Sequence, residues 1–212
     1  MAKSIFFDLD GTLTDSGEGI INCAAVTLEH FGIPVPSREE IRVIVGPPLR
    51  ESFLKFGVSA DQLPEAISVY RSRYNTIGKF ENFPYPGIPE LLAKLKAQGC
   101  KLYVATSKPE TTSVEILEHF GLASFFEIIA GAAADGLRDT KSQVIAYLLE
   151  QTGDLDEIIM VGDTVFDVIG AAAHNIPTIG VSWGYGEAED LRSAGAAAIA
   201  HSTDELFTLL TQ

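Results

Sequence analysis

The segment Asp8-Leu9-Asp10-Gly11-Thr12 sets two carboxylates two residues apart beside a glycine, directly after the apolar run Ile5-Phe6-Phe7. A second acidic pair, Asp163 and Asp167, stands in Gly162-Asp163-Thr164-Val165-Phe166-Asp167 after Ile158 to Val161. Were these carboxylates to meet in one crevice, their mutual repulsion would call for a cation, and magnesium suits all-oxygen ligands and bridges to phosphate. Asp8 and Asp163 are the expected side-chain ligands and the backbone carbonyl of Asp10 the third. With such an ion neutralising phosphoryl oxygens, Asp8 at the end of a rigid strand is a nucleophile able to form an aspartyl-phosphate. Asp10 is then placed to protonate the leaving oxygen and later to take a proton from water. Gly11 and Thr12 shape a turn with backbone donors toward the phosphate, Thr106 and the adjoining Ser107 bring hydroxyls, and Lys141 brings a compact positive charge.

These residues need elements to hold them. The β-rich apolar runs Ser4 to Phe7, Lys101 to Ala105, Glu127 to Ala130, Ile158 to Val161 and Pro177 to Val181 read as strands. Helical patterns at Ile88 to Ala97, Glu110 to Phe120, Lys141 to Gln151 and Val165 to His174 lie between them, which is the β-α-β grammar of a parallel sheet with helices on both faces. In such sheets ligands bind beyond the carboxyl ends of the strands, and each candidate residue follows a strand or opens the next helix. From Gly17 to Asn82 no convincing strand occurs; helical spacing runs from Gly19 to Phe31 and from Ser59 to Ile77, and Ser37-Arg38-Glu39-Glu40 carries a capping box. The expected architecture is an α/β core of residues 1–14 and 84–212 with a helical cap domain inserted at 15–83. Hinges are expected near Asp15-Ser16-Gly17 and Phe83-Pro84.

The chain has 212 residues and a formal net charge of -14, with only 15 lysines and arginines. That balance excludes a nucleic-acid backbone as partner and leaves most of the acidity as solvated surface. Apolar runs such as Gly195 to Ala200 are far shorter than the roughly 20 residues of a membrane helix, and the N-terminus lacks a secretory pattern. Cys23 and Cys100 suit two isolated buried thiols in a reducing cytoplasm, and His30, His119, His174 and His201 have no metal-like spacing. A small phosphorylated metabolite is the expected partner, with the protein a monomer or weak homodimer.

Four fixed letters of DxDGT arise by chance in on the order of one in a few hundred chains of this length, so the motif gains its weight from Thr106, Lys141 and GDxxxD in sheet order. On those residues the chain resembles the haloacid dehalogenase superfamily, in its phosphoglycolate-phosphatase-like branch with a helical cap after the first motif. Gly46-Pro47-Pro48-Leu49, Tyr85-Pro86-Gly87 and Gly180-Val181-Ser182-Trp183-Gly184-Tyr185-Gly186 are also similar to family stretches. The resemblance implies a Rossmann-like core, Asp8 as nucleophile, Asp10 as acid/base, Thr106 and Lys141 as phosphate binders and Asp163 as metal ligand supported by Asp167. Arg138-Asp139-Thr140-Lys141-Ser142, in place of a Lys-Pro pair, is more like relatives known as 5'-nucleotidases. In the insert, Arg50 and Arg73 are candidate substrate contacts.

Plainer roles stand beside these. Asp163 has the chemistry of a helix N-cap, Thr106 that of a cap for the helix after Pro109, Asp167 and Lys141 that of surface charges, and Trp183 and Tyr185 that of loop-shaping rings. Competing activities are a sugar-phosphate mutase or an inorganic pyrophosphatase on the same core. A receiver-like phosphoaspartate module is disfavoured because its acceptor follows the third strand. A dehalogenase is disfavoured because it leaves Asp10 without a role.

Overall fold

The computed structural model describes every residue except Met1, Ala2, Pro48, Ala134 and Asp154. Pro48 of the Gly46-Pro47-Pro48-Leu49 stretch therefore lies outside the described residues. The chain divides into two compact units, one of Met1–Asp15 with Pro84–Gln212 and one of Ser16–Phe83.

In the first unit a six-stranded parallel sheet is built from β1 (Lys3–Phe7), β4 (Lys101–Pro109), β5 (Ile128–Ala132), β6 (Glu157–Gly162), β7 (Thr178–Val181) and β8 (Ala198–Ala200). Two-residue strands β2 (Thr14–Asp15) and β3 (Phe83–Pro84) pair separately, where the chain leaves this unit and returns. The sheet order β5-β4-β1-β6-β7-β8 puts β1 at the centre, hydrogen-bonded on both sides. Five helices follow the sheet strands or lead into them: α5 (Ile88–Ala97), α6 (Glu110–His119), α7 (Lys141–Thr152), α8 (Val165–Ala172) and α10 (Thr203–Thr211), with the short α9 (Ala188–Ser193) before β8. This is the Rossmann-like α/β class expected from the alternation of strands and helices.

Period-two burial explains why β1 sits at the centre. Ile5 and Phe7 point into one core with Leu91, Leu95, Leu206 and Leu210, while Phe6 points into the other with Tyr103, Val144, Ile145 and Met160. A strand apolar on both faces is stable only with helices above and below it. Phe6 and Phe7 are fully buried, and truncating either to alanine removes about 3 to 5 kcal/mol.

The strand bounds differ from expectation in two places. β4 runs on to Pro109, with a shift in its pairing to β5 between Ala105 and Pro109, so Thr106 and Lys108 belong to an irregular strand end. β8 is an additional strand, formed by Ala198-Ile199-Ala200 beside β7; its alanines lack β-propensity, and edge pairing to Ile179, Gly180 and Val181 supplies what propensity does not.

The second unit is helical among its described residues: α1 (Gly17–His30), α2 (Arg38–Ile41), α3 (Leu49–Lys55) and α4 (Leu63–Thr76). The Ser37/Glu40 capping box is present at α2. α4 begins at Leu63 rather than Ser59, because the Ser59 hydroxyl is drawn into a turn with Asp61 and Gln62 and Pro64 suits the first helical turn. Cys23 and Cys100 are buried free thiols. No described helix is long and apolar enough to cross a membrane.

Candidate active site

The parallel register places the acidic groups side by side. Phe7 of β1 lies opposite Val161 of β6, and the next backbone N-H, that of Asp8, donates to the Val161 carbonyl at 2.9 Å. Asp8 and Asp163 thus emerge at one level from adjacent strands. α8 starts two residues after Asp163 and brings Asp167 back on its first turn. One carboxylate oxygen from each of Asp8, Asp163 and Asp167 lies within 4.8 Å of the others, and all three residues are buried. The helix cap is Thr164, not Asp163, and Asp167 is wholly buried rather than solvated. Its Oδ2 accepts from the Thr164 N-H at 3.0 Å and hydroxyl at 2.9 Å, which fixes the side chain.

Lys141 is the first residue of α7, where Thr140 and Gln143 form a capping box. Its side chain is 5% exposed and its Nζ lies 2.7 Å from Asp8 Oδ1 and 2.8 Å from Asp167 Oδ1, while donating to the Ala105 carbonyl at 2.8 Å. A cation here opposes the helix dipole, and the two carboxylates offset that cost. Burial pulls the ammonium pKa down, but Asp167 and Asp8 override it and hold it above its usual value. Burial raises the Asp8 carboxyl to about 6; Lys141 pulls against this and Asp167 adds to it. Burial likewise raises Asp163 to about 8, with Asp167 and Asp8 adding repulsion and the Tyr185 N-H and Thr12 hydroxyl working against it.

Asp10 has a different partner. Both its oxygens lie on Lys108 Nζ, at 2.9 and 2.7 Å, with the lysine side chain 6% exposed. The sequence signal for Lys108 is its place two residues beyond Thr106 at a strand end. Thr106 is buried and its Oγ1 accepts from the Lys108 N-H at 3.2 Å, so it shapes the strand end and does not cap α6, whose N-cap is Pro109. Ser107 is exposed.

Gly11 and Thr12 spend their donors within the protein instead of presenting them to a ligand. The Gly11 N-H donates to the Thr14 carbonyl at 2.8 Å, and Gly11 takes φ +83°, with Asp163 where a Cβ would stand. The Thr12 N-H goes to the Leu9 carbonyl at 3.3 Å and its hydroxyl to Asp163 Oδ1 at 3.0 Å. Of the insert residues, Arg50 is exposed on α3, and Arg73 is held by Glu81 through two hydrogen bonds of 2.6 and 2.9 Å with Cys23 Sγ at 3.2 Å, a structural engagement. His174 meets Ser142, His201 meets Ser182 and His30 meets Glu65.

The donor set fits a hard divalent cation. Asp8 Oδ1 and Asp167 Oδ1 are buried and face Lys141 Nζ at 2.7 and 2.8 Å. Asp10 is matched by Lys108, and in the cluster the carboxylates of Asp8, Asp163 and Asp167 outnumber the one Lys141 ammonium by two, the count that one divalent ion balances. The all-oxygen chemistry suits magnesium-like rather than soft metals.

Comparison with known proteins accords with this geometry. The family model described as haloacid dehalogenase-like hydrolase matches residues 5–181. The tyrosine-protein kinase PtkA of Mycobacterium tuberculosis is 45% identical over 95% of this chain and 70% of its own length. A 5'-nucleotidase of Pseudomonas aeruginosa is 39% identical over 90% of this chain and 87% of its own. The crystal structure of a predicted phosphatase from Clostridium acetobutylicum superposes with a TM-score of 0.90 at 44% identity, covering 99% of this chain and 98% of that one. By the family match and by these relatives, the chain belongs to the haloacid dehalogenase-like hydrolases and is an enzyme of that family.

Proposed function

We propose that the protein hydrolyses a small organic phosphomonoester by way of a phosphorylated Asp8, with magnesium bound. The observation that carries this reading is the separation of the two carboxylates of Asp8-Leu9-Asp10: Asp8 is buried among Lys141, Asp163 and Asp167, while Asp10 sits outside that cluster on Lys108. One is built to hold charge beside a cation, the other to meet a partner that can change.

The side chains of Asp8, Asp163 and Asp167 and the carbonyl of Asp10 would hold the ion. When bound, magnesium supplies charge neutralisation to the phosphoryl oxygens. An Asp8 oxygen attacks phosphorus, the bond from phosphorus to the leaving oxygen breaks, and Asp10 delivers a proton to that oxygen. Asp10 then takes a proton from water as the water oxygen attacks phosphorus, the bond to Asp8 breaks, and phosphate leaves with Asp8 restored. Lys141 fixes Asp8 on its strand end and offsets charge on the transferring group. Lys108 must release Asp10 for the proton transfers, and an incoming phosphoryl dianion is the competing anion that draws the ammonium away. Thr106 and Ser107, on the same strand end, are assigned to the phosphate pocket.

For substrate class we favour phosphoglycolate-like or nucleoside-monophosphate-like esters. The 5'-nucleotidase relative and the Arg138-Asp139-Thr140-Lys141-Ser142 segment support the latter. We assign leaving-group selection to the helical unit Ser16–Phe83, acting as a cap. The relative named a tyrosine-protein kinase raises transfer to a tyrosine, but neither GxxxxGK[ST] nor GxGxxG occurs in the sequence to cradle a nucleotide donor, which supports water as acceptor.

The test is phosphate release by purified protein from phosphoglycolate, nucleoside monophosphates, sugar phosphates and pyrophosphate, with and without magnesium. Magnesium-dependent release from a monoester is expected. Isomerised sugar phosphate as the product would favour a mutase, and release from pyrophosphate alone would favour a pyrophosphatase. Release from none of these would overturn the reading.

A further inference from the structure

We propose that the loop Ser182–Gly186, between β7 and α9, is the positioning element of the cation site and acts on Asp163 from two sides. This rests on the reading of Asp8, Asp163 and Asp167 as a cation site and adds the residues that aim it. On one side the Tyr185 backbone N-H donates to Asp163 Oδ2 at 2.8 Å. On the other, the Trp183 indole N-H donates to the Thr12 carbonyl at 3.1 Å, and the Thr12 hydroxyl donates to Asp163 Oδ1 at 3.0 Å. Both oxygens of the carboxylate therefore have a fixed donor, and each keeps a further lone pair for a metal.

The loop is anchored at several points. The Ser182 N-H continues the sheet by donating to the Ala200 carbonyl at 3.1 Å. Trp183 packs against the hydrophobic core with its ring 6.5 Å from that of Tyr85. Gly184 comes so close that a Cβ would land on Asp163 and on the Gly11 carbonyl. The Tyr185 hydroxyl donates to Asp15 at 2.8 Å. Trp183 and Tyr185 thus do more than shape a loop: one sets Thr12, the other sets Asp163 directly. A carboxylate on a short side chain with both oxygens held cannot rotate, so a cation entering the triad meets it already oriented. Outer partners of metal ligands contribute in this way to affinity.

The experiment is calorimetric titration of the purified full chain with magnesium chloride, for the parent protein and for Trp183→Phe, Thr12→Val and the double variant. Thermal midpoints are measured in parallel in chelator. Trp183→Phe keeps an aromatic ring but removes the N-H together with the five-membered half of the indole, and Thr12→Val keeps the shape and replaces the hydroxyl with a methyl, so the metal-free midpoints separate lost packing from lost hydrogen bonds. Each is expected to weaken magnesium binding about ten- to hundredfold. Because both act through one chain of contacts, the double variant is expected to lose little beyond the larger single loss. A merely structural role would lower the metal-free midpoint and leave the affinity of the folded protein untouched. Parent-like magnesium affinity in both single variants would overturn the inference while leaving the cation site standing. A parent protein that binds no magnesium would overturn the cation reading and this inference with it.

Discussion

Removing divalent cations and raising the pH should destabilise this protein through its active-site carboxylates. Asp8 is raised from 3.8 to about 6 and Asp163 from 3.8 to about 8, chiefly by burial, while in the unfolded chain both return to the ordinary value. Between those limits the folded chain holds protons that the unfolded chain has lost. The stability these groups contribute is present at low pH and is lost as pH rises through about 6 and then about 8. At about 1.4 kcal/mol per unit, the Asp8 shift corresponds to about 3 kcal/mol and the Asp163 shift to about 6 kcal/mol. Both values draw on the same repulsions, so they do not add, and the expected loss between about pH 4 and 9 lies between about 3 and 6 kcal/mol. Against a typical total of about 5 to 15 kcal/mol, that is a large share. The assay is urea unfolding across this range in chelator and in saturating magnesium. Magnesium takes over the neutralising role of the protons and should flatten the decline. In chelator at high pH, Asp8→Asn should be more stable than the parent, since the amide can still accept from Lys141 and no longer repels Asp167. Stability that stays level or rises from about pH 5 to 9 in chelator would refute the reasoning.

Further expectations follow from the same contacts. Lys108→Met should lower kcat/KM for alkyl phosphates and for p-nitrophenyl phosphate alike, since it removes the ammonium that meets the phosphoryl dianion; parent-like values on both would detach Lys108 from the phosphate. Asp10→Asn should lower kcat for alkyl phosphates by about 10²- to 10⁴-fold while circular dichroism stays parent-like. Gly184→Ala should abolish the magnesium-dependent rise in thermal midpoint, because its Cβ falls on Asp163; a parent-like rise would show that the approach is not tight. Exhaustive chelation should remove activity and added magnesium restore it, as read by phosphate release.

Residues at strand ends were legible because the strands themselves were. Ile5-Phe6-Phe7 and Ile158 to Val161 could be read as buried strands from their apolar letters, and Asp8 and Asp163 follow from their last residues. Lys141 was legible as a helix-start lysine lacking an obvious reason, which its two carboxylates supply. Contacts that cross the sheet were not legible. Lys108 reaches Asp10 across 98 residues and Thr12 reaches Asp163 across 151, and no local pattern records such pairings. β8 is not legible because three residues of alanine and isoleucine become a strand only once β7 is there to pair with them. The motif alone points the donors of Gly11 and Thr12 outward, whereas the turn closes on itself through Leu9 and Thr14.

The account turns on Asp8 as the group that carries phosphorus. The most direct measurement is a single turnover with a phosphomonoester, quenched in acid, followed by mass spectrometry of the peptide containing Asp8, together with phosphate release by Asp8→Asn. The account predicts a phosphorylated Asp8 in the parent protein and no turnover in Asp8→Asn. Full phosphate release by purified Asp8→Asn protein would contradict it.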